Sequence, residues 1–152
     1  KKLSGIYTHT ITKPLHKIFR GFDDVFNAPH SRYTQTLRTD VEQIGALEIL
    51  AESEQAGILL LASKDGRRHF ITGHLEYDRD TLDGEYRRDL AKGLDIAVPE
   101  HYYPGNDPSH TPLMTWRAHA HLFFSNWLNY HVYQETPYHL YEIARQSVPS
   151  RR

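Results

Sequence analysis

The segment Gly73-His74-Leu75-Glu76 carries the pair of side chains in this chain best suited to moving a proton. An imidazole ionises near neutral pH and can act as general base. A carboxylate two residues on can reach back to its Nδ1–H, holding the tautomer and stabilising the imidazolium. In α/β sheets, reactive groups gather outside the carboxyl ends of strands, and His74 follows an apolar run that reads as a strand. The same spacing also suits a hydrogen-bonded structural histidine beside a solvated glutamate, and His-x-Glu by itself does not separate the two. Metal chemistry finds less support. Among eleven histidines the densest pair is His119-Ala120-His121, and residues two apart on a helix do not face each other. There is no His-Glu-x-x-His motif and no cysteine. Neither a Cys-ligated zinc site nor a thiol nucleophile can be built from these residues, and no metal site is expected.

The elements that must hold His74 can be read from local patterning. Gly57–Ala62 and Arg68–Thr72 flank Ser63-Lys64-Asp65-Gly66-Arg67, and two apolar runs around Asp-Gly predict a β-hairpin. The first run does not alternate, which suits a strand covered on both faces. Residues 3–11 predict a strand with Leu3, Gly5, Tyr7, His9 and Ile11 on one face, and Leu47–Ala51 a short one. Phe19–Tyr33 has no clean period and contains Gly21 and Pro29, so it reads mostly as loop. After His74 a helix is expected, opened by Asp78 or Asp80 and ended by Gly93, with Leu82, Tyr86 and Leu90 as its apolar stripe. Pro99, Pro104, Pro108 and Pro112 punctuate a segment that can be neither helix nor central strand. A second helix is expected from Thr115 to about Gln134, burying Trp116, Ala120, Phe123, Phe124, Trp127 and Leu128. The tail after Pro137 is expected to be peripheral. Strand, strand, helix, crossover and helix suit the C-terminal portion of an α/β sandwich.

Composition sets the outer bounds. The 152 residues suffice for one domain and one core. Hydrophobic residues make up 39%, and the apolar share falls below the roughly 45–50% of typical domains. A net charge of −1 offers no electrostatic footprint for nucleic acid or an anionic membrane. The longest apolar run, Ile58–Ala62, is far short of the ~18 residues of a membrane span. Lys1–Gly5 lacks the apolar core of a signal peptide. The only methionine is Met114, so the chain is expected to begin inside something longer or to have been processed.

Ordered blocks along the chain add a further reading. Phe70-Ile71-Thr72-Gly73-His74-Leu75-Glu76-Tyr77-Asp78, Lys1-Lys2-Leu3-Ser4-Gly5, Arg20-Gly21-Phe22-Asp23-Asp24, Ala28-Pro29-His30-Ser31-Arg32-Tyr33, Asn106-Asp107-Pro108 and Asn126-Trp127-Leu128-Asn129-Tyr130 resemble the C-terminal half of the homoserine O-acyltransferases of methionine biosynthesis. That family includes the homoserine O-succinyltransferases. The resemblance implies a class I glutamine-amidotransferase-like (flavodoxin-like) three-layer α/β sandwich. Residues 1–152 would then be the C-terminal half of one acyltransferase domain, lacking the N-terminal half that carries the cysteine nucleophile.

On that resemblance His74 is implied as catalytic base and Glu76 as the residue that orients it. Arg88 is implied to bind the carboxylate of L-homoserine, with Ser31 and Lys2 in the same pocket. Without the resemblance, Arg88 would read as a surface arginine pairing with Glu85 at i,i+3, and Ser31 and Lys2 as solvated. One departure is visible: Leu75 stands where the family commonly has proline. The implied reaction is transfer of succinyl from succinyl-CoA to the homoserine hydroxyl through a cysteine thioester. Acetyl transfer from acetyl-CoA is the alternative. Acyl-CoA is a co-substrate, and no cofactor is expected. A cytoplasmic homodimer is implied, with no nucleic-acid or membrane partner. A class I amidotransferase or hydrolase, and a non-catalytic half-domain, are the rival readings. The 152 residues alone are expected to be inactive, since they hold no cysteine.

Overall fold

The computed structural model describes residues 1–136; the expected peripheral tail after Pro137 lies outside the described residues. Five strands, β1 (Leu3–Ile11), β2 (Val25–Arg32), β3 (Leu47–Ser53), β4 (Gly57–Ser63) and β5 (His69–Ile71), form one sheet in the order β2-β1-β3-β4-β5. Among the described residues three α-helices accompany it: α1 (Arg38–Glu42), α2 (Thr81–Ala91) and α3 (Arg117–Trp127). A π-helical stretch, Leu128–Tyr133, continues α3, and short 3-10 turns occupy Lys17–Phe19 and Pro104–Asn106. The class is therefore mixed α/β, with every ladder among the described strands antiparallel.

The expected hairpin is present: Leu60 pairs with Ile71 and Ala62 with His69, around the Asp65-Gly66 turn. β4 is buried from Ile58 to Ser63, as its unbroken apolar run predicts. The stretch expected as loop contains β2, which is a correction. Pro29 interrupts the pattern there, but β2 is an edge strand, where a missing N–H costs no ladder bond. Its burial does not alternate because Ala28, Pro29 and His30 are all buried in succession.

The sheet curls. β2 and β5 stand at opposite ends of the pairing order, yet the N–H of His74, just beyond β5, donates to the Pro29 carbonyl of β2 at 2.8 Å. β1 pairs with β2 along its length but with β3 only at Thr10 and Ile11. Its free first half is bridged by Glu100: Ile6 N–H donates to the Glu100 carbonyl at 2.8 Å, and Glu100 N–H to that of Ser4 at 2.9 Å. A Cβ on Gly5 would lie 2.3 Å from the Glu100 oxygen, so this approach requires glycine.

Ile6, Phe19, Phe26, Leu50, Leu59 and Trp116 belong to one core between the curled sheet and α3. Two helix expectations need correcting. On α2 only Leu82 of the expected stripe is buried; Leu90 is 46% exposed, while the charged Asp89 is buried. The helix is docked by its first turn and by ion pairs rather than by an apolar stripe. On α3 and the residues that flank it, Trp116, Ala120 and Phe123 are buried as expected, whereas Phe124, Trp127 and Leu128 are exposed. The buried face instead includes Asn126, whose Nδ2 donates to the carbonyls of Ile18 (2.9 Å) and Arg20 (2.8 Å). Among the described residues no helix is long and apolar enough to cross a membrane.

Candidate active site

His74 lies in the turn between β5 and α2, where the edges of the curled sheet meet. Its place is set by backbone: His74 N–H binds Pro29, and the preceding Thr72 N–H donates to the Leu59 carbonyl at 2.9 Å. Gly73 makes this approach possible. A Cβ there would lie 2.6 Å from Leu59 Cδ1 and 2.9 Å from the Pro29 oxygen, inside van der Waals contact. Leu75 is buried in the core and pins the turn, so the residues on either side of it point outward together. His74 Nδ1 and Glu76 Oε1 are 2.8 Å apart. A carboxylate accepts only, so Nδ1 donates to it, and in the neutral ring Nε2 then keeps the lone pair that a base needs. The ring of Tyr77 stacks on His74 with centroids 4.3 Å apart and planes at 11°.

Tyr77 joins His74 to the remaining candidates. Its hydroxyl donates to Glu85 Oε1 at 2.8 Å, and the other oxygen of Glu85 accepts from Ser31 Oγ and from Lys2 Nζ, the latter at 3.3 Å. Lys2 also meets Asp89 Oδ2 at 3.1 Å. Arg88 reaches Asp89 Oδ1 through Nε at 2.8 Å and Nη2 at 2.7 Å. The antiparallel register of β1 and β2, with Leu3 opposite Arg32 and Ser4 opposite Ser31, brings the start of β1 beside Ser31. Glu85 and Asp89, four apart on α2, present one face to Lys2.

The charges are ordered accordingly. Burial alone pushes the Glu85 carboxyl up, but hydrogen bonds from Ser31, Tyr77 and Lys2 outweigh it and hold it below the usual range. Asp89 is held low by Arg88 and then Lys2. Burial and the bond to Glu85 push the Tyr77 phenol up, so it remains a donor at neutral pH. Arg88 keeps 53% of its side chain exposed, and its Nη1 edge has no protein partner among the described residues. A partly exposed guanidinium edge beside an ammonium is suited to a small carboxylate.

The sequence matches, over residues 1–138, the family model described as HTS: Homoserine O-succinyltransferase. The chain belongs to the homoserine O-succinyltransferase family. Curated relatives carry a related name. Homoserine O-acetyltransferase of Brevibacillus brevis is 60% identical over 140 residues, covering 92% of this chain and 46% of that protein. The protein of the same name from Acetivibrio thermocellus is 53% identical over 143 residues, covering 94% and 47%. That from Geobacillus kaustophilus is 58% identical over 138 residues, covering 91% and 46%. The chain thus spans about half the length of the curated relatives it matches. Among solved structures it is similar to the crystal structure of SMU.1228c, with a TM-score of 0.55 at 15% identity, covering 83% of this chain and 51% of that one. That likeness concerns the fold alone.

All five residues singled out in the sequence, His74, Glu76, Arg88, Ser31 and Lys2, meet through one continuous set of contacts. Arg88 pairs with its neighbour Asp89, not with Glu85 as its helical spacing suggests. Sequence reasoning missed Tyr77, Glu85 and Asp89 as connecting residues. The available signal was the i,i+4 spacing of Glu85 and Asp89 on α2, which places two carboxylates on one face of the helix.

Proposed function

We propose that this chain is the C-terminal half of a homoserine O-acyltransferase, part of a class I glutamine-amidotransferase-like sandwich whose other half supplies a cysteine nucleophile. The observation that carries the reading is the joining of the His74–Glu76 pair to Arg88, Ser31 and Lys2 around Glu85. Membership of the family and the names of the relatives support it, as does the half-length coverage of those relatives.

In this reading His74 Nε2 removes the cysteine proton, and the thiolate attacks the carbonyl of the acyl-CoA thioester. The proton passes to the sulfur of CoA as it leaves, and an acyl-cysteine remains. The γ-hydroxyl of L-homoserine then attacks that carbonyl while His74 takes its proton and returns it to the departing cysteine sulfur. Glu76 keeps the imidazole in the Nδ1–H tautomer and stabilises its charged form. Arg88 and Lys2 hold the homoserine carboxylate, a contribution of alignment rather than of bond chemistry, and Ser31 lines the same pocket. Acetyl-CoA is the donor favoured by the relatives' names, and succinyl-CoA, the donor expected from the sequence, is favoured by the family's. A cytoplasmic homodimer belongs to the same reading.

The test is CoA release from acetyl-CoA and from succinyl-CoA with homoserine present. The 152 residues alone should release none, and a longer protein that includes them should. His74→Ala in that longer protein should abolish the acyl-enzyme seen by mass spectrometry. Homoserine-dependent release of CoA by the cysteine-free chain, or an acyl-enzyme that persists in His74→Ala, overturns the assignment. Glutamine hydrolysis without acyl transfer would favour the amidotransferase reading instead.

A further inference from the structure

Away from His74, three histidines from distant parts of the chain converge. His16 precedes the 3-10 turn Lys17–Phe19, His69 opens β5, and His131 lies on the π-helical stretch after α3. One ring nitrogen of each lies within 4.8 Å of those of the other two. The rings of His69 and His131 are 4.4 Å apart at 70°, and His16 stacks on His131 at 5.6 Å and 9°. Nε2 of His69 and Nε2 of His131 are buried and have no hydrogen-bond partner among the described residues. Buried polar nitrogens left without partners are unfavourable and call for an explanation. A bound cation supplies one by engaging the lone pairs.

We propose that His16, His69 and His131 form a three-histidine site for a divalent transition-metal ion of the zinc class. The donor set is all imidazole, which suits Zn²⁺, Co²⁺, Ni²⁺ or Cu²⁺ over the oxygen-seeking Mg²⁺ and Ca²⁺. Tetrahedral coordination at about 2.0–2.1 Å places ligand nitrogens roughly 3.3–3.4 Å apart. The three nitrogens, within 4.8 Å of one another, would draw closer together on binding. His16 Nδ1 accepts from Ile18 N–H at 3.3 Å, a long bond able to yield. The chemistry of the ligands agrees with their placement. Burial holds His69 at about 4 and keeps His16 and His131 below the ordinary histidine range, so all three are neutral and ready to ligate at pH 7. His16 and His131 also line a cavity of about 660 Å³, which leaves room for a water or small anion in a fourth position. Lys17 and Arg67 on its wall are balanced by Asp65 and Glu135. Departures to π-helix within α-helices are frequent at functional sites, and here the departure carries His131.

His69 opens β5 while His74 lies in the turn beyond it, and none of the three histidines takes part in the contacts that join His74, Glu76, Arg88, Ser31 and Lys2. The metal therefore acts as a clamp tying three segments together and does not reach the acyl-transfer site, so the proposal stands independently of that function. Such a site escapes motif searches because its ligands are far apart in sequence.

Titration of the chelator-treated protein with Co²⁺ and then Zn²⁺ tests it. Expected are one equivalent bound per chain, the visible absorption of tetrahedral Co²⁺, its loss on adding Zn²⁺, and a higher thermal midpoint with zinc present. His69→Phe and His131→Phe keep a ring in place but offer no lone pair. Each should lose both the absorption and the zinc-dependent shift. His121→Ala, exposed on α3 and outside the cluster, should retain both. A wild-type protein that binds no stoichiometric metal overturns the proposal, as does binding that survives in both phenylalanine variants. The wild-type titration decides even where a variant fails to fold.

Discussion

Replacing His9 and His30 together by glutamine should flatten the acid side of the stability curve. The two rings are fully buried, stacked with centroids 5.0 Å apart, and joined through their Nε2 atoms at 3.0 Å. Arg32 Nε faces His30 Nδ1 at 3.5 Å, so Nδ1 of His30 is the acceptor and its Nε2–H donates to His9. Burial lowers His9 to about 4 and His30 to about 3, with the His9–His30 proximity, Arg32 and His74 acting in the same direction on His30. The unfolded chain binds a proton at each near pH 6.5, while the folded chain does not. Stability is therefore complete above pH 6.5 and is lost as the pH falls toward the folded values. Each histidine contributes up to about 1.4 kcal/mol per pH unit in that window, and the pair on the order of 5 kcal/mol by pH 4.5. That is comparable with the whole stability of a small domain, about 5–15 kcal/mol. Urea midpoints measured from pH 7 to 4.5 should fall steeply for the wild type. The double variant should retain only the slope due to other groups, including His16, His69 and His131, which act in the same sense. His9→Gln alone should remove about half of the difference. A double variant whose midpoints run parallel to those of the wild type over this range would refute the reasoning.

Other perturbations follow from the same geometry. Asn126→Ala leaves the buried carbonyl of Ile18 and the partly buried carbonyl of Arg20 without their donor and should cost about 2–4 kcal/mol by urea denaturation; a change under about 0.5 kcal/mol would show that water replaces the amide. Gly73→Ala drives a methyl into Leu59 and Pro29 and should destabilise by about 1–3 kcal/mol. On the proposed function, the same change in a longer protein that includes this chain should also lower kcat, by shifting His74. On the proposed function, Arg88→Ala in a longer protein that includes this chain should raise KM for homoserine about 10–100-fold, with little change in the first acylation step, since a charged hydrogen bond contributes about 1.5–3 kcal/mol. Unaltered homoserine saturation would remove Arg88 from the site.

Several features of this protein are written locally and were legible in the sequence. The hairpin at Asp65-Gly66, the buried run of β4 and the strand 3–11 follow from periodicity and turn chemistry, which depend on near neighbours. The His74–Glu76 pair is local too, since two residues of chain after a strand suffice to bring a carboxylate to an imidazole. Arg88, Ser31 and Lys2 came only from family resemblance, because their meeting depends on the β1–β2 register and the docking of α2. Tertiary structure alone decided the rest. Pro29 hid β2, and only its position at a sheet edge makes that proline tolerable. The α2 stripe failed at Leu90 because the helix is held by Glu85 and Asp89 facing Lys2, and only the tertiary fold brings Lys2 to that face. The curl that brings Pro29 to His74, the buried His9–His30 pair and the convergence of His16, His69 and His131 all join residues distant in the chain. A sequence records which side chains are present and what their near neighbours favour; which of them share a pocket is settled when the two edges of the sheet close on one another.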